Sequence, residues 1–154
     1  MKPLDGVFPS PDPDCEIVTM RTIPWRREQV FDAFGDPEQL TKWWGPKGFT
    51  STFHEFDFEP GGAWRFILHG PDGVNYQNDA VFMEIVKPER IVLHHETEPE
   101  FFIGFFLEDE GDGTAITWRM RFKSAEVRDR VSKYAVEANE QNLDRLERVL
   151  AGDW

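Results

Sequence analysis

Cysteine is nearly missing: Cys15 is the only one in 154 residues, so no disulfide can close within the chain. That suits a reducing compartment and leaves the apolar core to hold the fold. Long apolar runs are also lacking. The longest, around Phe101 to Leu107, is far too short to span a bilayer. Basic residues are in deficit, with 17 Lys and Arg against 29 Asp and Glu, a net charge of −12. Nucleic acids are held mainly by Lys and Arg on phosphates, so neither a nucleic acid nor an anionic membrane surface is an expected partner. Met1 to Asp14 carry four prolines and no apolar run of the secretory kind. A cytoplasmic location is the expectation.

Motifs for metal, phosphate and nucleophile chemistry are equally scarce. The four histidines, His54, His69, His94 and His95, show no HxH or HExxH spacing, and no CxxC exists. On a strand, His94 and His95 point to opposite faces and cannot share one ion. No GxSxG elbow is present, and the Pro-Gly-Gly and Gly-Pro-Asp-Gly segments read as hairpin turns rather than phosphate loops. Neither a metal nor a cofactor is expected, and no catalytic residue can be assigned.

What the chain has in excess is aromatic side chains, 14% of residues, with fourteen Phe and six Trp. Such a surplus fills either a dense core or the wall of an apolar cavity.

Period and punctuation divide the chain. Residues 1–14 read as a flexible lead-in, and residues 15–152 as one domain. A first strand runs from Cys15 to Ile23, and a short helix from Arg26 to Phe34. A second helix opens on the cap Asp36 with Pro37 and Gln39, carries Leu40, Trp43 and Trp44, and stops at Gly45-Pro46. The Trp pair reads as packing, with a guard at a cavity mouth as the other reading. From Thr50 to Lys123 the period is two: Trp64, Phe66 and Leu68 alternate with Arg65 and His69, and Trp118 and Met120 with Arg119 and Arg121. Six strands in meander order result, too closely spaced for intervening helices. Ser124 then caps a helix of about 27 residues, roughly 40 Å long, with Glu126/Arg130, Asp129/Lys133 and Asp144/Arg148 at the spacing of ion pairs.

At about 100° per residue, Val127, Val131, Tyr134, Ala135, Ala138, Asn142, Leu146 and Val149 share one face of this helix. The stripe is bulky at both ends, but small at Ala138 and polar at Asn142. Against a packed core that middle leaves a void and an amide in need of partners. Against a cavity it gives room and a hydrogen-bonding group; in the other reading Asn142 bonds a strand side chain or a buried water. Glu84 follows Tyr76, Asn78 and Phe82 along one strand face. Turned inward it needs a partner or a raised pKa, and turned outward it faces Arg65 or Arg119. The outward or paired reading is preferred.

The order strand, two short helices, six-strand meander, long helix resembles the helix-grip fold of the START/Bet v 1-like (SRPBCC, polyketide cyclase-like) superfamily. Several motifs resemble the family homologous to the C-terminal domain of the Hsp90 ATPase activator. They are Val30-Phe31-Asp32-Ala33-Phe34, Trp43-Trp44-Gly45-Pro46-Lys47-Gly48-Phe49, Phe56-Asp57-Phe58-Glu59-Pro60-Gly61-Gly62, His69-Gly70-Pro71-Asp72-Gly73, and Asn139-Glu140-Gln141-Asn142-Leu143-Asp144-Arg145-Leu146. Glu59 departs from the pattern, standing where such proteins often carry Arg.

The resemblance implies an α+β fold, a seven-stranded curved antiparallel sheet around the last helix, and a protein of the generally bacterial branch lacking the activator's N-terminal domain. It implies three functions. The first is binding of a small, largely apolar molecule between sheet and helix, by a monomer or homodimer. The alternatives are a cyclase- or hydrolase-like enzyme using polar cavity residues, and a chaperone-associated interaction protein. The expected ligand-binding residues are Trp64, Phe66, Tyr76, Phe82, His95, Trp118, Met120, Tyr134, Ala138 and Asn142.

Overall fold

A computed structural model describes residues 8–153. The elements follow the expected order: β1 (Glu16–Ile23), α1 (Arg27–Gly35), α2 (Pro37–Trp43), β2 (Thr50–Phe56), β3 (Ala63–His69), β4 (Asn75–Val86), β5 (Arg90–His95), β6 (Phe101–Glu110), β7 (Gly113–Phe122) and α3 (Ala125–Leu150). The seven strands form one antiparallel sheet in the order β1-β7-β6-β5-β4-β3-β2. The meander closes on β1, and α3 lies across the concave face: the helix-grip architecture. No helix among the described residues is long and apolar enough to cross a membrane.

Local chemistry fixes the helix ends. The Asp36 carboxylate accepts from the Glu38 N–H at 3.0 Å and from Gln39 Nε2 at 3.2 Å, and Pro37 opens α2. Gly45 leaves the helix with φ of 108°, a conformation that favours glycine. At α3 the Ser124 hydroxyl accepts from the Val127 N–H. Asp144 does not partner Arg148 as its spacing suggests. Together with Glu140 and Glu147 it converges on Arg21 of β1, at 2.8, 2.8 and 2.9 Å. Arg21 sits on the strand beneath these three carboxylates and so ties α3 to the sheet edge.

Two bulges change which residues face inward. In β2 the register shifts between Phe53 and Glu55, which lets Phe53 and Phe56 pack on the same side. In β4 it shifts between Phe82 and Glu84. Phe82 is in the main core, whereas Glu84 lies opposite Val92 on the convex side. There its carboxylate accepts from Arg90 Nε at 2.6 Å. Its partner is therefore neither Arg65 nor Arg119, which are engaged by Glu55 and Glu16.

The convex face explains why β6 is apolar on both sides. Phe101, Ile103, Phe105 and Leu107 join the main core, while Phe102 and Phe106 point outward with Val92 and Met83. Phe8 covers this outer cluster, meeting the Phe106 ring edge-on at 5.7 Å. The Arg119 guanidinium lies 4.4 Å from the centre of the Phe8 ring. Arg119 also donates to the Pro9 carbonyl and Arg121 to the Ser10 carbonyl. The proline-rich segment read as a flexible lead-in is thus held against the sheet from residue 8 onward; residues 1–7 lie outside the described residues. A buried ring and satisfied carbonyls outweigh the poor pairing capacity of prolines. Phe8→Ala is expected to cost about 1.5–3 kcal/mol of stability, seen as a lower urea midpoint.

Candidate functional site

The concave face is occupied unequally. Under α1 and α2, Phe34, Trp43, Trp64, Phe82 and Phe105 interlock, with Phe34 and Trp43 edge-to-face at 4.9 Å. Trp43 is fully buried and its indole N–H donates to the Ala33 carbonyl at 2.9 Å, so this first Trp is packing. Beneath α3 the sheet is not filled, and a cavity of about 840 Å³ remains. Trp44 divides the two halves, 5.1 Å from Trp64 on the packed side and stacked on Trp118 at 5.8 Å on the open side.

Eight of the ten expected residues line the cavity. Phe66, Trp118 and Met120 form part of its buried floor. Tyr76 and His95 come from the β4–β5 side, and Tyr134, Ala138 and Asn142 from α3. Trp64 and Phe82 do not. They belong to the packed half under the short helices, because α1 and α2 cover that part of the curved sheet before α3 can reach it. Tyr134 is also placed differently from the helix-face reading, at the mouth and 61% exposed. The buried stripe of α3 is rotated toward Asn139 and Leu143, since the fully buried Leu143 and Leu146 set the helix orientation.

Trp44, for which a guard at a cavity mouth was the second reading, lines the cavity, as do Phe101, Ile103, Ala135 and Asn139, none of them among the expected ligand-binding residues. Asn139 stood beside the helix face as drawn. Its amide donates weakly to Thr19 Oγ1 at 3.3 Å and to Met120 Sδ at 3.4 Å.

The Asn142 amide is less available than its place on the wall suggests. Its Nδ2 donates to the Trp43 carbonyl at 2.7 Å and its Oδ1 accepts from the Gly45 N–H at 3.2 Å. One turn on, Arg145 donates to the carbonyls of Gly45, Pro46 and Lys42. No carboxylate balances Arg145 in these contacts, and burial lowers its pKa, with Arg148 adding to the effect. Asn142 and Arg145 therefore clamp the exit of α2, which fixes Trp44 at the cavity. Asn142→Ala leaves two buried backbone groups unpaired and is expected to cost about 1–3 kcal/mol, measured as a fall in the thermal midpoint.

Among the described residues, His95 is the one buried titratable side chain on the wall. Its ring stacks on Phe101 at 4.4 Å. Asn78 Nδ2 donates to the Tyr76 carbonyl at 2.9 Å, which turns Asn78 Oδ1 toward His95 Nε2 at 2.7 Å. Nε2 is thereby the donor. Burial pushes the His95 pKa below its ordinary value, although the Thr97 and Pro99 backbones favour the proton in part. The unfolded ring binds its proton first, so the stability from neutral His95 is complete above about pH 6.5. It is lost as pH falls through the lower folded value. Proton NMR of the imidazole should show His95 titrating below the ordinary histidine value. His94, on the opposite face, stacks on Phe102 and contacts Glu100 at 3.0 Å.

The family model described as Activator of Hsp90 ATPase homolog 1-like protein matches residues 24–151. The chain belongs to this family. No curated protein matches it. A solved structure of a Nitrosomonas europaea protein is similar over 94% of this chain and 99% of its own, at 18% identity and a TM-score of 0.85. A Rhodobacter sphaeroides protein covers 93% and 96% at 22% identity and a TM-score of 0.83. The AHSA1 protein from Silicibacter pomeroyi covers 88% and 97% at 19% identity and a TM-score of 0.73. These likenesses show the fold. In this activator-homologue chain, the Trp-Trp-Gly-Pro segment divides its work: Trp43 packs, Trp44 walls the cavity, and Gly45-Pro46 supplies the backbone that α3 grips.

Proposed function

We propose that the chain binds a small, largely apolar molecule between the sheet and α3. The supporting observation is the cavity itself. Protein interiors are close-packed, and a space of about 840 Å³ walled by buried rings and by the small Ala135 and Ala138 has the size and composition of a ligand site. Asn75 to Asn78 at the start of β4 and His95, Thr97 and Glu98 at and after the end of β5 give it polar groups on one side, and Asn139 and Asn142 give it two buried amides on α3. The enzyme reading has less behind it. His95, Glu98 and the two tyrosines line the cavity, but no two of them are hydrogen-bonded to each other among the described residues.

Titration with a neutral environment-sensitive naphthalene dye should give one saturable site per chain. Native mass spectrometry of the protein from its host should show a retained small molecule. Linear, unsaturable dye partitioning together with a bare mass would sink the reading.

A further inference from the structure

The convex face carries a groove whose parts all belong to the sheet. Gly104, in the middle of β6, forms its floor: a Cβ there would collide with the Phe106 ring and come within 3.0 Å of Phe8 Cδ2. Glycine weakens a strand interior and is found where another group approaches the backbone closely. The Phe8 ring takes that space, with Phe102, Phe106 and Val92 around it and 7% of the residue exposed. Arg119 and Arg121 complete the groove by donating to the Pro9 and Ser10 carbonyls. All of these receiving residues sit in the paired strands β5, β6 and β7, and Glu16 of β1 holds the guanidiniums.

Residues 8–10 lie in the groove as a docked peptide would. One side chain fills a pocket, and the next two main-chain carbonyls meet fixed donors. They belong to no strand. A turn over residues 12–15, closed by the Cys15 N–H on the Asp12 carbonyl at 3.0 Å, joins them to β1. Proline fits the second place, because the groove reads its carbonyl and its fixed φ lowers the entropy lost on docking. Charge agrees with this occupant. Among the described residues Arg119 and Arg121 share one acidic partner, Glu16, so the groove keeps a positive charge within a chain of net charge −12. The segment that fills it continues into Asp12 and Asp14.

We infer that the convex groove is a docking site for a partner protein's segment bearing Phe followed by Pro and an acidic flank, with residues 8–10 as its tethered competitor. The tether holds those residues at roughly millimolar effective concentration. A partner segment therefore enters when it binds more tightly than they do, or when the turn over residues 12–15 opens. The groove lies on the opposite face of the sheet from the cavity and is independent of what the cavity holds.

An acetylated peptide of residues 8–14, Phe-Pro-Ser-Pro-Asp-Pro-Asp with a fluorophore at its C-terminus, tests this by anisotropy on the full chain. Phe8→Ala vacates the pocket. That variant is expected to bind the peptide saturably and about tenfold or more tighter than wild type, whose own ring competes. Replacing the peptide's Phe by Ala should weaken binding to the variant by about tenfold or more, the size of one buried ring. Bound peptide should shift the amide NMR signals of Gly104 and Phe106. Phe8→Leu, which keeps apolar cover, stands in with the same order of affinities if Phe8→Ala does not fold.

No saturable binding to the folded variant up to about 5 mM, above the effective concentration of a short tether, would overturn the inference. So would equal affinity for wild type and variant, indifference to the peptide's Phe, or shifts confined to another face of the molecule.

Discussion

Replacing Glu16 by Ala is expected to remove about 3–5 kcal/mol of stability, the usual consequence of stripping one partner from a buried charge cluster. Its side chain is 1% exposed. The carboxylate accepts from Arg119 Nε at 2.6 Å, Arg119 Nη2 at 2.9 Å, Arg121 Nη2 at 2.8 Å and the Asp12 N–H at 2.6 Å. Two guanidiniums on the convex face would be left facing each other, and the segment holding Phe8 would lose its anchor. The loss should appear as a large drop in the urea midpoint and as early hydrogen exchange at residues 12–16.

The pH dependence carries a second check. Burial by itself would raise the Glu16 pKa, but the hydrogen bonds from Arg119, Arg121 and Asp12 outweigh it and hold the carboxyl below its ordinary range. Its contribution is therefore complete above the unfolded value of about 4.3. It disappears as pH falls through the lower folded value. The gap between wild type and Glu16→Ala should be widest near neutrality and close in strong acid. A gap that stays constant down to pH 2 would mean the cluster is not electrostatic in origin.

Filling the cavity should separate binding from folding. Ala135 and Ala138 lie on its α3 wall, Ala135 fully inside and Ala138 nearer the mouth. The double change Ala135→Phe with Ala138→Leu puts a ring and a branched chain where the ligand would lie. If about 80 Å² of ligand contact is displaced, affinity for a neutral naphthalene dye should fall by roughly thirtyfold, near 2 kcal/mol. Stability should change little, because the new side chains enter open space rather than a packed core. Overpacking of a filled site instead costs about 1–3 kcal/mol. A thermal midpoint lowered by several degrees with dye affinity unchanged would show that these positions do not border a binding site.

Much of the fold was legible because its signals are local. The Asp36-Pro37-Gln39 start, the Gly45-Pro46 stop and the Ser124 cap act within one helical turn, and the period-two runs from Thr50 onward need only neighbouring residues. Most strand faces followed, since Arg65 and Arg119 alternate with rings that cannot be wet. The site was legible only in part. Small residues in the middle of α3 pointed to space there, but its burial is centred near Asn139 and Leu143, a rotation set by contacts with the sheet.

The sequence by itself determined the element order, the alternation of β3 and β7, and the run of small side chains on α3, because propensity, capping and periodicity are properties of short segments. Tertiary structure alone decided the rest. Bulges at β2 and β4 moved Phe53 and Glu84 to faces that a strict period of two does not give them. Phe8, far from β6 along the chain, made both faces of that strand dry. The α1–α2 pair took Trp64 and Phe82 for packing and left Trp44 and Trp118 at the cavity, since curvature of the sheet determines which of two equally apolar rings a helix can cover.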